Sequence, residues 1–200
     1  QAALTEPAAV AVYAVRQSAL KAGDTAAVFG LGPIGLLIVE ALRAAGASKI
    51  YAVELSPERQ AKAEELGAIV VRPEEGETAV EAIHRLTNGG VDVSYEVTGV
   101  PVVLGQALAA VHKAGECMVV SIWEREANIN PNEFAIQEKT LKGIIAYRHI
   151  FPKVLELMEQ GYFSAEKLVT KKIKLENIVE EGFIELTQDK SQIKILVEPE

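Results

Sequence analysis

The sequence predicts an α/β fold in which parallel strands form one doubly wound sheet. Between Thr25 and Ile145, short runs of β-branched residues alternate with stretches of helical periodicity, which is typical of βα units. The strand segments are almost continuously apolar, as expected for strands that helices cover on both faces. A glycine-rich turn directly follows the first of these strands. With 200 residues, 49% of them hydrophobic, the chain is long enough to bury a substantial core.

Six strands are predicted for the central part of the chain: Ala26–Phe29, Lys49–Val53, Ile69–Val71, Val91–Tyr95, Glu116–Ile122 and Leu141–Ile145. Apolar residues at helical spacing separate them, and we extend the helix before the fifth strand to Val111 and His112. The helix after the second strand carries boundary signals as well. Ser56 can cap it, Pro57 suits its first position and Gly67 follows its last turn.

The flanking segments break this alternation. Residues 7–20 have the pattern of a helix, and residues 150–187 have the pattern of two helices with a short strand, Lys167–Leu175, between them. Ile193–Val197 is the last predicted strand. We therefore divide the chain into three parts: a linking segment and helix (1–22), a central α/β domain (23–148) and a C-terminal part (149–200).

Composition limits the classes of function. Twenty basic and 28 acidic residues give a net charge of −8, so we expect no binding to nucleic acid or to a membrane surface. The single cysteine, Cys117, excludes an intrachain disulfide and a cysteine-based zinc cluster within this chain, and it fits a cytoplasmic location. The first residues show no secretory signal pattern and no initial methionine, and we expect the later part of a longer protein.

The stretch from Gly30 to Gly35 reads G-L-G-P-I-G and matches G-x-G-x-x-G between a strand and a helix, as that motif requires. Gly30 allows the tight turn, Gly32 lets a pyrophosphate approach the backbone, and Gly35 lets helix and strand pack closely. The helix that opens with Pro33 and Ile34 directs unpaired amides at the phosphates. This favours a dinucleotide-binding domain of the Rossmann type, and a glycine-rich turn that binds nothing is the alternative.

Glu54 stands at the end of the second predicted strand, 19 residues after Gly35. An acidic side chain there accepts hydrogen bonds from an adenine ribose and repels a 2′-phosphate, which favours NAD over NADP. Leu55 follows directly and belongs to the same predicted site. Arg59 can stack on adenine, which we prefer, or recruit a 2′-phosphate. A solvated carboxylate is the alternative for Glu54, and methyltransferases that use S-adenosylmethionine share the glycine turn and the acid.

Further segments carry a family resemblance: Glu6–Val15 with the turn Ala22–Thr25, Tyr95–Gly99, Leu141–Ile145, and three tail segments, Phe151–Pro152, Met158–Phe163 and Lys167–Ile173. Together they resemble the zinc-dependent medium-chain alcohol and polyol dehydrogenases over essentially the whole chain. The resemblance implies the NAD-binding part of an enzyme that oxidises a secondary alcohol or vicinal diol, with flanking remnants of a catalytic domain that this chain lacks. The chain alone would then be inactive. A non-catalytic NAD-sensing domain is one alternative, and a sorbitol- or threonine-type dehydrogenase is another.

The resemblance also assigns site residues. Glu6 matches a position that supplies a zinc ligand or contacts zinc-bound water, although a glutamate at a helix start equally complements the helix dipole. Contacts to the nicotinamide half of NAD are implied for six residues: Val10, Val97, Thr98, Ile122, Ile144 and Ala146. In this interpretation Ile122 ends the fifth strand, and Ile144 and Ala146 belong to the sixth. The alternative is that they are only core residues.

The segment Leu141–Ala146 is apolar, and the strand–helix alternation ends there, so we expect it at an edge of the sheet. An exposed apolar edge invites pairing with the same edge of a second chain. We therefore expect a homo-oligomer, a dimer or tetramer, assembled through this segment, as the family resemblance also implies. The alternative is that residues 150–187 cover the edge and keep the chain monomeric.

Overall fold

The computed structural model describes residues 2–189 and 191–199. This part of the chain contains a sheet of six strands in the order β3-β2-β1-β4-β5-β6 and a separate pair, β7-β8, and neighbouring strands run parallel. The strands are β1 (Thr25–Phe29), β2 (Lys49–Val53), β3 (Ile69–Val70), β4 (Val91–Glu96), β5 (Val111–Val119), β6 (Thr140–Gly143), β7 (Val169–Lys174) and β8 (Lys194–Glu198). The predicted doubly wound parallel-sheet fold is confirmed, and its strand order reverses between β1 and β4.

Helices connect and cover the strands. They are α1 (Thr5–Gln17), α2 (Pro33–Ala44), α3 (Pro57–Glu65), α4 (Ala79–Thr87), α5 (Pro101–Ala110), α6 (Pro131–Ala135), α7 (Phe151–Glu159), α8 (Ala165–Leu168) and α9 (Glu185–Gln188). The boundary signals of α3 act as predicted, because the Ser56 hydroxyl accepts from the Arg59 amide, Pro57 is the first helical residue, and Gly67 adopts φ +88° after the last turn. Among the described residues, none of the helices combines the length and apolarity needed to cross a membrane.

The two faces of the sheet pack into two hydrophobic clusters. Ala26 and Val28 of β1 belong to the cluster under α1 and α2, whereas Ala27 and Phe29 belong to the cluster under α4 and α5. Alternating side chains of a strand point to opposite faces, so every β1 residue from 26 to 29 is buried. Cys117 of β5 lies in the second cluster as a buried thiol.

Both predicted boundaries of the fifth strand are wrong. The fifth strand begins at Val111 rather than Glu116, so Val111 and His112 lie in a strand and not in a helix. Ala114 in β5 has φ +64°, and the register between β4 and β5 shifts there, an irregularity that hid the strand's start in the sequence pattern. β5 also ends at Val119, where its partner β4 ends at Glu96, so Ile122 lies beyond the strand.

The sixth strand is shorter than predicted. It ends at Gly143, and Ile144 and Ala146 therefore belong to the loop that follows it. Ala146 adopts φ +50°, which turns the backbone out of the extended conformation. The predicted position of this strand at an edge of the sheet is confirmed.

The C-terminal helix predicted around residues 176–187 is in fact three short segments. They are a 3₁₀ turn at Leu175–Asn177, a π-helical segment at Ile178–Ile184, and α9.

Candidate functional site

The turn between β1 and α2 can be formed only by glycine at two positions. Gly30 has φ +94°, and a Cβ atom there would lie 2.5 Å from the Thr98 Cγ2 atom. A Cβ atom on Gly35 would lie 1.9 Å from the carbonyl oxygen of Gly30. These approaches bring the start of α2 against the end of β1, which is the packing that the glycine motif predicts.

The space over Gly32 is open. No described atom outside its chain neighbours lies within 4 Å of the position that a Gly32 Cβ atom would take. Gly32 also precedes α2, and none of the described side chains caps this end of the helix. The first-turn amides and the positive end of the helix dipole therefore face a place that a diphosphate fits.

A cleft of about 510 Å³ opens in front of this turn at the carboxyl ends of the strands. It lies where the strand order reverses, which is where ligands bind in open α/β sheets. Its lining comes from the start of α1, the glycine turn, and the loops after β4, β5 and β6: Glu6, Val10, Gly32, Pro33, Ile34, Gly35, Val97, Thr98, Val120, Ser121, Ile122, Ile145 and Ala146.

Most of the predicted site residues meet in this cleft, but three lining residues were missed by sequence reasoning. These are Val120, Ser121 and Ile145. Ser121 carried one usable signal, since it is a polar residue directly after the apolar run Cys117–Val120 of the predicted strand Glu116–Ile122. Ile144 does not line the cleft, because its half-buried side chain packs against the first core cluster.

Glu54 follows β2 and holds the glycine turn in place. Its Oε2 atom accepts from the Leu31 amide at 2.9 Å, and its Oε1 atom accepts from the amides of Leu55 and Ser56 at 2.8 and 3.1 Å. The side chain is only 12% exposed, so it is not a freely solvated carboxylate. Three backbone donors from two turns thus fix the carboxylate beside the glycine motif.

The neighbours of Glu54 lie outside the lining of the cleft. An Arg59 guanidinium nitrogen lies 3.9 Å from Glu54 Oε2. Leu55 is 94% exposed and projects from the turn between β2 and α3. Together these residues border a surface next to the cleft, on the β2 side of the glycine turn.

The opposite wall of the cleft is largely apolar. Val97 and Thr98 directly follow β4, Val10 is half-buried on α1, and Ile122 exposes 80% of its surface. Ala146, with its positive φ, closes this wall from the loop after β6. An exposed isoleucine in a concave apolar wall is suited to cover a ring-shaped ligand and exclude water from it.

Glu6 lies in the first turn of α1 and faces the cleft as an exposed side chain. Residues 2–189 and 191–199 contain no group of three or more His, Cys, Asp or Glu side chains that could hold a metal ion. A catalytic zinc site uses three protein ligands and one open position. The described residues therefore do not form a complete zinc site, and Glu6 would be a single contribution to one.

Residues 33–160, more than half of the chain, match the family model described as zinc-binding dehydrogenase. The chain belongs to the zinc-binding dehydrogenase family. The resemblance predicted from the sequence motifs is thereby confirmed, together with the doubly wound fold that the family implies.

Named relatives and solved structures are similar to this chain beyond residues 33–160. The chain is 65% identical to (R,R)-butanediol dehydrogenase of Bacillus subtilis over 199 residues, which is 100% of this chain and 58% of that protein. The crystal structure of 2R,3R-butanediol dehydrogenase from Bacillus subtilis superposes with a TM-score of 0.96 over 100% of this chain and 58% of that one. This zinc-binding dehydrogenase chain therefore spans about three-fifths of the length of these relatives.

A more distant relative was solved with a nucleotide. A zinc-binding dehydrogenase from Sinorhizobium meliloti bound to NADP is 27% identical, with a TM-score of 0.90 over 98% of this chain and 58% of that chain. The same fold in this family thus holds an NADP molecule in that protein.

Proposed function

We propose that this chain is the nucleotide-binding part of a zinc-dependent dehydrogenase that oxidises a secondary alcohol or vicinal diol, such as 2,3-butanediol, with NAD. The observation that carries the proposal is the open space over Gly32 at the uncapped start of α2, beside the carboxylate of Glu54. The 65% identity to a butanediol dehydrogenase supports the substrate class.

The adenosine half of NAD would lie on the β2 side of the glycine turn. Glu54 Oε2 accepts one described hydrogen bond, and a carboxylate oxygen has capacity for another from a ribose hydroxyl. Arg59 and Leu55 would border the adenine ring. The diphosphate would rest on Gly32 and on the amides of Ile34 and Gly35.

The nicotinamide half would lie in the cleft. Val10, Val97, Thr98, Ile122 and Ala146 would enclose the ring, and their apolar surfaces would keep water from the reacting carbon. When bound, NAD supplies the acceptor for a hydride from the alcohol carbon.

Glu6 would belong to the zinc environment, together with ligands from a part of the protein outside this chain. The described surface supports such a continuation. Large apolar side chains of the C-terminal part are exposed, including Leu175, Val179 and Phe183, the last with 62% of its surface. In this proposal, residues 1–22 link to a catalytic domain, residues 23–148 bind the nucleotide, and residues 149–200 return towards that domain.

The cofactor preference can be tested by titrating the full-length protein with NAD and with NADP. We expect NAD to bind about tenfold tighter or more, since a 2′-phosphate would be repelled by Glu54 and lose one charge-assisted hydrogen bond. Equal or tighter binding of NADP would contradict the preference.

The activity can be tested with zinc, NAD and 2,3-butanediol. We expect NADH formation by the full-length protein and none by the 200-residue chain alone. Turnover by the chain alone would show that the active site lies wholly within it. Nucleotide binding without turnover of any alcohol by the full-length protein would favour an NAD-sensing role.

The protein would act in the cytoplasm as a homo-oligomer whose subunits contact one another along the edge strand β6. The Ile144 amide donates to Val119 of β5, so by alternation the amide of Gly143, the last residue of β6, faces away from the sheet. Ile145, 69% exposed, lies at this edge. Sedimentation of the full-length protein should show a dimer or tetramer that Ile145→Pro weakens, and a monomer at micromolar concentration would contradict the proposal.

A further inference from the structure

Glu96, the last residue of β4, is a fully buried carboxylate with 0% exposure. Its Oε1 atom accepts from the Thr98 amide at 2.6 Å, the Thr98 hydroxyl at 2.5 Å and the Gly99 amide at 3.0 Å. Its Oε2 atom accepts from the Ser121 hydroxyl. All four of these partners are donors, which matches a group that only accepts hydrogen bonds.

These hydrogen bonds join two loops of the cleft. Thr98 and Gly99 belong to the loop after β4, and Ser121 belongs to the loop after β5. A backbone hydrogen bond also joins these two regions, because the Glu96 carbonyl accepts from the Val120 amide at 3.0 Å. A Cβ atom on Gly99 would lie 2.9 Å from the Ile122 carbonyl oxygen, so the loops approach closely beside the carboxylate.

The network also reaches the glycine turn. With its hydroxyl bound to Glu96 Oε1, the Thr98 side chain directs its methyl group at Gly30, where a Cβ atom would lie only 2.5 Å away. The Val97 amide donates to the Phe29 carbonyl at 3.0 Å on the same side. One carboxylate therefore links the turn predicted to hold the diphosphate to both loops predicted to hold the nicotinamide.

We propose that Glu96 is a positioning residue that sets the distance between the loops after β4 and β5, and thereby orients the nicotinamide ring, without touching the cofactor. This inference rests on the proposed function of the cleft. An apolar residue would fill a buried strand end without the desolvation cost that a carboxylate carries. Three of the four donors that offset this cost come from Thr98 and Ser121, which line the cleft, and the fourth is the amide of Gly99.

A second buried carboxylate on the same sheet offers a matched control. Glu116 of β5 is 7% exposed and accepts from the Ala19 amide at 2.6 Å. Neither residue lines the cleft. A Glu116→Gln variant should therefore reproduce the cost of altering a buried, hydrogen-bonded carboxylate without changing the loops of the cleft.

The test compares Glu96→Gln, Ser121→Ala and Glu116→Gln in the full-length protein. Ser121→Ala removes the side-chain bond between the loops and keeps the backbone bond from Val120 to Glu96, so it is the milder change should Glu96→Gln fail to fold. Each variant is titrated with NAD and with ADP-ribose, which keeps the adenosine and diphosphate but lacks the nicotinamide ring. Melting temperature and the primary deuterium isotope effect on alcohol oxidation are measured in parallel.

We expect Glu96→Gln and Ser121→Ala to weaken NAD binding about tenfold, which corresponds to one lost charge-assisted hydrogen bond. The affinity for ADP-ribose should change by less than about twofold. The isotope effect should also change, because a misplaced ring alters the hydride-transfer step. Glu116→Gln should lower the melting temperature and leave the ratio of the two affinities unchanged.

Two results would overturn the inference alone: equal losses for NAD and ADP-ribose in the cleft variants, or folded variants with unchanged NAD binding and isotope effect. If the unmodified protein bound neither ligand, the proposed function itself would fail, and this inference with it.

Discussion

The two ends of the six-stranded sheet use the same chemistry for different purposes. At the carboxyl end, Glu54 and Glu96 accept hydrogen bonds from the backbone of the loops that surround the cleft. At the amino end, Asp92 Oδ2 accepts from the amide and the hydroxyl of Thr25, both at 2.7 Å, and Asp92 Oδ1 lies 3.0 Å from His112 Nε2. Each set joins neighbouring strands through a carboxylate.

The difference lies in what surrounds these carboxylates. Asp92 joins the starts of β1 and β4 to a histidine of β5. The carboxyl end instead combines its carboxylates with the open space over Gly32 and an uncapped helix. A hydrogen-bonded carboxylate by itself therefore does not mark a binding site, and the proposed site depends on the donors that face an open volume.

Among variants that test this comparison of the two ends of the sheet, Gly35→Ala should have the largest effect on NAD binding and stability. The new Cβ atom would lie 1.9 Å from the Gly30 carbonyl oxygen, so the turn must move. We expect loss of NAD binding and a destabilisation of about 3 kcal/mol or more, measured by titration and urea unfolding.

Gly105→Ala is the matched control for this change. Gly105 lies within α5, and a Cβ atom there would meet no described atom within 4 Å. Alanine should raise stability by about 0.5–1 kcal/mol and leave NAD binding unchanged. If Gly35→Ala behaved like this control, the close packing of the glycine turn would not be required.

Glu54→Ala should have the next largest effect. It removes the acceptor for three backbone amides and the predicted ribose contact. We expect NAD binding to weaken about tenfold or more and the preference over NADP to narrow.

Glu64→Ala serves as the control for Glu54→Ala, because the Glu64 carboxylate forms an exposed ion pair with Arg72. That variant should change stability by less than about 0.5 kcal/mol. An NAD affinity for Glu54→Ala as high as that of the control would refute the assigned role of Glu54.

The smallest effect on stability should come from a substitution at the amino end of the sheet, where the protonation of His112 makes stability depend on pH. Its Nδ1 lies 2.6 Å from the Lys113 carbonyl and its Nε2 faces Asp92, so both ring nitrogens have acceptors. Partial burial lowers the pKa of His112, but these hydrogen bonds outweigh it and the pKa lies above 6.5. Burial raises the pKa of Asp92, and the hydrogen bonds from Thr25 and His112 outweigh this and hold it below 3.8.

These two pKa shifts, raised for His112 and lowered for Asp92, make stability depend on pH in opposite directions. The raised pKa of His112 gives stability that is complete below 6.5 and is lost as pH rises through the folded-state value. The lowered pKa of Asp92 gives stability that is complete above 3.8 and is lost as pH falls. The pair therefore stabilises the fold most between these two values.

His112→Gln should test this coupling. It should cost about 0.5 kcal/mol in that range, a small amount because the side chain is 41% exposed and screened by solvent, and less at alkaline pH. Urea unfolding across pH measures the difference. A cost independent of pH, or any change in NAD affinity, would contradict the separation of the two ends.

Much of the fold was predictable because its signals are local. The apolar runs, the glycine motif and the signals at Ser56, Pro57 and Gly67 act within a few residues of one another, and the structure confirms them. The error at Val111 comes from the irregularity at Ala114, and the errors at Ile122 and Ile144 lie where a strand's end depends on its neighbours. Strand pairing stops when a partner strand ends, and a single sequence does not show where that happens.

By itself the sequence determined the alternation of strands and helices from β1 to β5, the turn that only glycine can form, and the acidic residue that follows β2. Each depends on periodicity or backbone geometry over short stretches. Only the tertiary structure decided that the Ser121 hydroxyl would donate to Glu96 between two loops, and that the Glu54 carboxylate would accept from the Leu31 amide in the glycine turn. Those contacts join residues that are distant in sequence, and the order of strands in the sheet brings them together.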